Sequence, residues 1–145
     1  MSVIRESAML LAFTSMVLTL AAVPYTASAG PLDQAVESGK QLFMTSTFKG
    51  AGRTCNSCHT AGGTTAGKLP DGSTIPSLNN AAAIFPRYNI RQARVLVLAD
   101  QVHNCVAGAL QGTPPAHDSV EMVNLISYLS SLSQGKPLHM GGKPE

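Results

Sequence analysis

The sequence predicts an all-α fold of about three main helices joined by long loops. Three observations predict it. Apolar residues recur at helical spacing in three separate segments. The residues between those segments are rich in Gly, Pro, Ser and Thr, which read as loop. Aromatic residues make up only 5% of the chain and tryptophan is absent, so a generous side-chain core is not expected. There is no internal repeat, no low-complexity tract and no domain boundary after the N-terminal leader.

The leader comes first. Met1 to Glu6 is short and polar and contains Arg5, Ala8 to Val23 is almost unbroken apolar sequence, and Ala27-Ser28-Ala29 offers small residues where a signal peptidase reads. This pattern is that of a secretory signal peptide, residues 1–29, cleaved before Gly30, which leaves one domain over residues 30–145. A retained membrane anchor is the alternative, but the apolar run is shorter than the ~20 residues a span requires. Nothing later in the sequence is long and apolar enough to span. The chain is therefore expected in the periplasm or otherwise exported, with no membrane span after cleavage. The formal charge of +2 is too small and scattered to argue for nucleic acid.

The first helix is expected over Pro31 to Ser46, where Leu32, Val36, Gly39 and Phe43 share a face and Pro31 and Asp33 suit a start. Gly39 is costly inside a helix, which implies that another backbone passes close to it. Residues 50–80 read as loop, with one turn of helix through Cys55 to His59. The second helix is expected over Leu98 to Leu110, stopped by Gly112, Pro114 and Pro115. Leu98, Val102, Cys105 and Ala109 form its stripe, so Cys105 faces the interior. The third begins with Asp118 and Glu121 placed as an acidic capping box. Met122, Leu125, Ile126, Leu129 and Leu132 make its apolar face, and Gly135 and Pro137 end it.

The chemistry lies in Cys55-Asn56-Ser57-Cys58-His59, the attachment signature of a c-type haem. Two intervening residues put both sulfurs on one side of a turn, where they can bond neighbouring vinyl groups, and His59 then lies under the iron as an axial ligand. One covalent haem c is the predicted cofactor, held by Cys55, Cys58 and His59, and a buried porphyrin would supply the apolar mass that the side chains lack. A thioredoxin-like pair is disfavoured because no strand pattern surrounds the motif. A zinc site built from Cys55, Cys58, His103 and Cys105 is the other chemical alternative.

"ESGKQLF", "CNSCH" and a closing helix with "ISYL" together resemble the class I cytochrome c fold. The resemblance implies that the first and last helices cross at a small residue and an aromatic one, matched by Gly39 and Phe43, against the turn from Leu125 to Leu129.

The motif leaves the distal ligand open. Methionine is usual in class I cytochromes, and the candidates are Met44 near the end of the first helix, Met122 on the apolar face of the third, and Met140 in a Gly-rich tail that is free to move. His103, His117 and His139 are also candidates, although His103 is about 160° around the helix from Cys105, so both cannot face the iron. Cys105 is preferred as the second metal ligand beside His59. Its stripe points inward, it has no intrachain disulfide partner among the three cysteines, and a thiolate is a strong haem ligand. A buried inert cysteine and an intermolecular disulfide are the alternatives.

A narrower resemblance covers about the last sixty residues. Phe85-Pro86-Arg87-Tyr88, a helix bearing Cys105, a Gly-x-Pro turn and Asp118 to Met122 follow in the order seen in the haem domains of SoxA and thiosulfate dehydrogenase. The resemblance implies that Cys105 is the distal ligand and, in an enzyme, a residue that handles sulfur. Those relatives carry an arginine one turn before the cysteine and usually a second haem, whereas this chain has Gln101 and one CxxCH. A neutral amide lacks the charge-assisted fork that suits an anion. Arg87, Arg91 and Arg94 lie upstream and read as an exposed basic stretch.

The expected function is thus electron transfer by an exported monohaem cytochrome with a low-potential His/Cys-ligated haem. The partner is a redox protein, for which a second cytochrome subunit is a candidate. The alternatives are the haem subunit of a thiosulfate-oxidising enzyme and a cytochrome that binds NO or CO.

Overall fold

A computed structural model describes residues 29–69 and 71–145; the expected leader, save Ala29, lies outside the described residues. Among the described residues, four α-helices and two short hairpins make up the fold: α1 (Pro31–Thr45), β1 (Gly67–Lys68), β2 (Thr74–Ile75), α2 (Ala81–Ile84), β3 (Arg87–Asn89), β4 (Arg94–Leu96), α3 (Leu98–Gly108) and α4 (Val120–Leu132). The three expected helices are α1, α3 and α4. Among the described residues no helix is long and apolar enough to cross a membrane.

The start of α1 follows from its sequence. Pro31 occupies the first turn, where its missing N–H is no loss, and the Gly30 N–H donates to Asp33 Oδ2 at 3.1 Å. One face then packs on α4. A Cβ on Gly39 would overlap the Asn124 carbonyl oxygen and stand 2.9 Å from Tyr128 Cβ, so this crossing admits no side chain. One turn later Phe43 meets Tyr128 edge to face, with ring centroids 5.5 Å apart. Phe43, Leu125, Tyr128 and Leu129 form the buried core at this crossing.

Helix α4 begins later than the acidic residues suggest. Its cap is Ser119, whose Oγ accepts from the Met122 N–H at 3.2 Å, and Asp118 lies just outside. Helix α3 ends at Gly108, earlier than expected, and its first turn is held by Asp100 Oδ2, which accepts from the Val97 N–H at 3.0 Å.

Two regions differ from the sequence reading. The expected turn of helix at the motif is present as a 3-10 turn at Cys55–Ser57, but the rest of the stretch expected as loop adds a second 3-10 turn at Ala61–Gly63 and the β1–β2 hairpin, and α2 and the β3–β4 hairpin follow it. In the second hairpin Tyr88 pairs with Val95 and Arg87 with Leu96. The tail after Pro137 is not free. The His139 N–H donates to the Ala83 carbonyl at 2.8 Å, the Gly141 N–H to the Ile84 carbonyl at 3.0 Å, and the buried Asn80 side chain donates to the Lys143 carbonyl at 3.0 Å. Backbone bonds thus strap it along α2, where glycine spacing in the sequence suggests only freedom.

Candidate haem site

The Cys55–His59 segment is a tight turn built largely from its own polar groups. The Cys58 and His59 N–H groups both donate to the Cys55 carbonyl, at 3.2 and 2.9 Å. Thr54 N–H donates to Ser57 Oγ at 3.0 Å, and Asn56 Oδ1 accepts from the Gly62 N–H at 2.8 Å. The two residues between the cysteines therefore shape the turn. Tyr128 ties the next turn, Ala61–Gly63, to α4 by donating its hydroxyl proton to the Gly62 carbonyl at 2.6 Å. Strand β1 presses against the motif from outside, because a Cβ on Gly67 would overlap the Cys58 carbonyl oxygen.

Cys55, Cys58 and His59 line one wall of a cavity of about 630 Å3. Leu96, Leu98, Val102, Val106, Leu125 and Leu129 contribute to its apolar lining. Its volume lies in the range of cofactor and ligand pockets. Two thiols that can form thioethers, one imidazole and an apolar enclosure together fit a covalently held haem in donor chemistry and in space. The strap reaches the same cavity through Pro144.

His59 is held by its outer nitrogen. Nδ1 lies 3.3 Å from the Pro76 carbonyl oxygen, so the neutral ring donates there and keeps the Nε2 lone pair for a metal. Burial holds the His59 pKa below the ordinary imidazole value, with the Pro76 contact opposing the shift in part. Burial likewise pushes the Cys55 thiol up to about 12, with smaller contributions from the neighbouring thiols. Cys105 is raised chiefly by burial, and a hydrogen bond from Gln101 works the other way.

The distal candidates separate by position. Cys105 lines the cavity together with Cys55, Cys58 and His59, and all three cysteines are free thiols. Met122 is 1% exposed in the core and is not among the lining residues. Met44 and Met140 are exposed and also lie off the cavity. His103 stacks on His117 with centroids 5.3 Å apart, and His117 Nε2 pairs with Asp100 Oδ1 at 3.0 Å, so both imidazoles are engaged away from the cavity. His139 is in the strap. Among the described residues no cluster of three or more His, Cys, Asp or Glu side chains could hold a free metal ion, so the Cys55, Cys58, His103, Cys105 zinc set is not assembled.

Two contributions are absent from the sequence reading. The Pro76 carbonyl that orients His59 carries no sequence signal, being backbone. Gln101 donates through Nε2 to Cys105 Sγ at 3.3 Å, a contact that the spacing of four on a helix permits. Of the upstream arginines, Arg87 is half-buried and lines the cavity, Arg91 is exposed at its rim, and Arg94 pairs with Asp100 at 3.5 Å.

The family described as "SoxA/TsdA, cytochrome c domain" matches residues 38–138. Thiosulfate dehydrogenase of Stutzerimonas stutzeri is 29% identical over 114 residues, covering 75% of this chain and 35% of the relative. The thiosulfate dehydrogenase of Allochromatium vinosum is 26% identical over 119 residues, covering 75% and 41%. The Psychrobacter arcticus thiosulfate dehydrogenase is 31% identical over 91 residues, covering 63% and 25%. This chain thus spans less than half the length of these relatives. Among solved structures, thiosulfate dehydrogenase (TsdBA) from Marichromatium purpuratum aligns with a TM-score of 0.61 at 24% identity, over 82% of this chain and 26% of that one. SoxXA from P. pantotrophus aligns with a TM-score of 0.52 at 19% identity, over 76% and 38%. At these identities the two structures speak to the fold, which is that of a class I cytochrome c-like domain. With the family match spanning most of the described residues, the chain belongs to the SoxA/TsdA cytochrome c domain family.

Proposed function

We propose that this chain is an exported monohaem c-type cytochrome working in the oxidation of sulfur compounds such as thiosulfate, as the haem subunit of a system completed by a second redox protein. Cys55 and Cys58 carry the thioether bonds, and His59 and Cys105 are the axial ligands. A second cytochrome subunit suits the partner role, since the similar solved structures carry the names TsdBA and SoxXA. The leader over residues 1–29 would deliver it to the periplasm, where c-type haem and a thiolate ligand are in keeping with an oxidising compartment.

One observation carries the reading: of the distal candidates considered, Cys105 shares the cavity with the attachment motif. The family match and the names of the curated relatives favour sulfur oxidation over an unspecialised carrier. The haem, when bound, supplies one-electron redox chemistry. The chain's own residues do the rest: Cys55 and Cys58 tether, Pro76 fixes the His59 ring, the apolar wall excludes water, and Cys105 presents sulfur to the enclosed space.

The test is thiosulfate-dependent reduction of a redox dye by the purified haem-loaded chain, with and without co-purified partner subunits. Turnover that needs the partner and is lost in Cys105→Ala supports the proposal; inactivity in every combination retires it. A freestanding electron carrier is the second reading. Gln101 favours it, because a neutral amide beside the sulfur is a poor holder of anions.

A further inference from the structure

We infer that Gln101 is a positioning residue that sets how strongly the Cys105 sulfur donates to the iron, and thereby the reduction potential of the haem. The inference rests on the proposed role of Cys105 as axial ligand and adds the group that governs it.

Gln101 and Cys105 lie one turn apart on α3, and both line the cavity. Nε2 of Gln101 stands 3.3 Å from Sγ of Cys105. The neighbours on this face, Leu98, Val102, Val106 and Ala109, have no side-chain donor to offer. Among the described residues the Gln101 amide is therefore the side chain that hydrogen-bonds the sulfur. Both residues are half-buried, so water competes less for this bond than on an open surface.

The orientation of the amide has chemical content. A thiolate can only accept hydrogen bonds, so it requires the N–H end; the carbonyl end would set two negative dipoles against each other. A hydrogen bond to a ligating sulfur withdraws electron density from it, and such bonds are among the levers that tune iron–sulfur and haem potentials. A thiolate stabilises ferric over ferrous iron through its negative charge. Drawing part of that charge onto the Gln101 N–H lessens the preference and raises the potential. The amide is neutral, so its effect is smaller than that of a cationic donor, whose bonds are roughly twice as strong.

An ordering follows. Gln101→Leu keeps the side-chain bulk and removes the donor, so the potential falls. Gln101→Arg keeps a donor and adds a charge, so the potential rises above that of the parent. Packing alone predicts no such order, because leucine fills the same space. The experiment is a spectroelectrochemical titration of the haem-loaded parent, both Gln101 variants and Cys105→Ala, with an EPR spectrum of each ferric form. Potentials in the order Arg, Gln, Leu from high to low, with shifted EPR signals in both variants, support the inference. If Cys105→Ala changes the EPR spectrum while both Gln101 variants match the parent in potential, the inference is wrong and the ligand assignment stands. If Cys105→Ala itself matches the parent, the ligand assignment fails and the inference falls with it.

Discussion

Gly39 of α1 lies against the backbone of Asn124 in α4, so close that a single methyl group would overlap the Asn124 carbonyl oxygen. Two helices far apart in sequence are thereby locked at one point. Phe43 and Tyr128 fill the space beside it, and the Tyr128 hydroxyl reaches the turn that follows the haem motif. The crossing thus carries packing directly into the geometry of the site.

Gly39→Ala tests the crossing. Helix propensity alone favours alanine by about 1 kcal/mol. The overlap with Asn124 acts in the opposite direction, and forcing a methyl group into a packed backbone contact costs about 1–3 kcal/mol or more. The expected result is a net loss of stability, measured by guanidinium unfolding of the haem-loaded protein. A gain would show that α1 and α4 are farther apart than described.

Ser119→Ala and Asp118→Ala form a paired test of where α4 begins. The Ser119 hydroxyl accepts from the Met122 N–H, so its loss should cost about 1 kcal/mol. Asp118 is outside the helix and its removal should cost less. Denaturant midpoints of the two variants decide the order.

Asp100 gives the protein an acid-sensitive element at the start of α3. The Val97 N–H above all, and then His117 and Arg94, hold its carboxyl below the ordinary carboxylate value of 3.8. As pH falls, the unfolded chain therefore takes up this proton before the folded one does. The stabilisation is complete above the ordinary carboxylate value and is lost as pH falls through the lower folded value. Denaturant midpoints measured against pH should drop over that window, and Asp100→Asn should flatten this part of the profile.

The fold was legible where a repeated pattern or a chemical necessity marked it. The stripe of Leu98, Val102 and Cys105 does face the cavity, and Gly39 does mark the crossing, because helical periodicity and a glycine at a costly position both report on packing. Helix α2 and the two hairpins were not legible, since elements of two to four residues are too short for any period to emerge. The strap after Pro137 is held mainly through backbone groups, which side-chain identity does not announce. For the same reason the Pro76 carbonyl beside His59 had no signature. The Ser119 cap was obscured by the more suggestive spacing of Asp118 and Glu121. Gln101 was visible as a departure from relatives, but its contact with Cys105 required the helix to be built.

The most direct test of the central claim compares the ferric EPR and absorption spectra of the haem-loaded parent with those of Cys105→Ala and Met122→Leu. Met122 is 1% exposed and lies off the cavity, and an exchange that nearly conserves volume there should cost less than about 1.5 kcal/mol. A low-spin spectrum with thiolate character is expected in the parent and in Met122→Leu, with loss of that character in Cys105→Ala. A parent spectrum unchanged by Cys105→Ala but altered by Met122→Leu would contradict the claim.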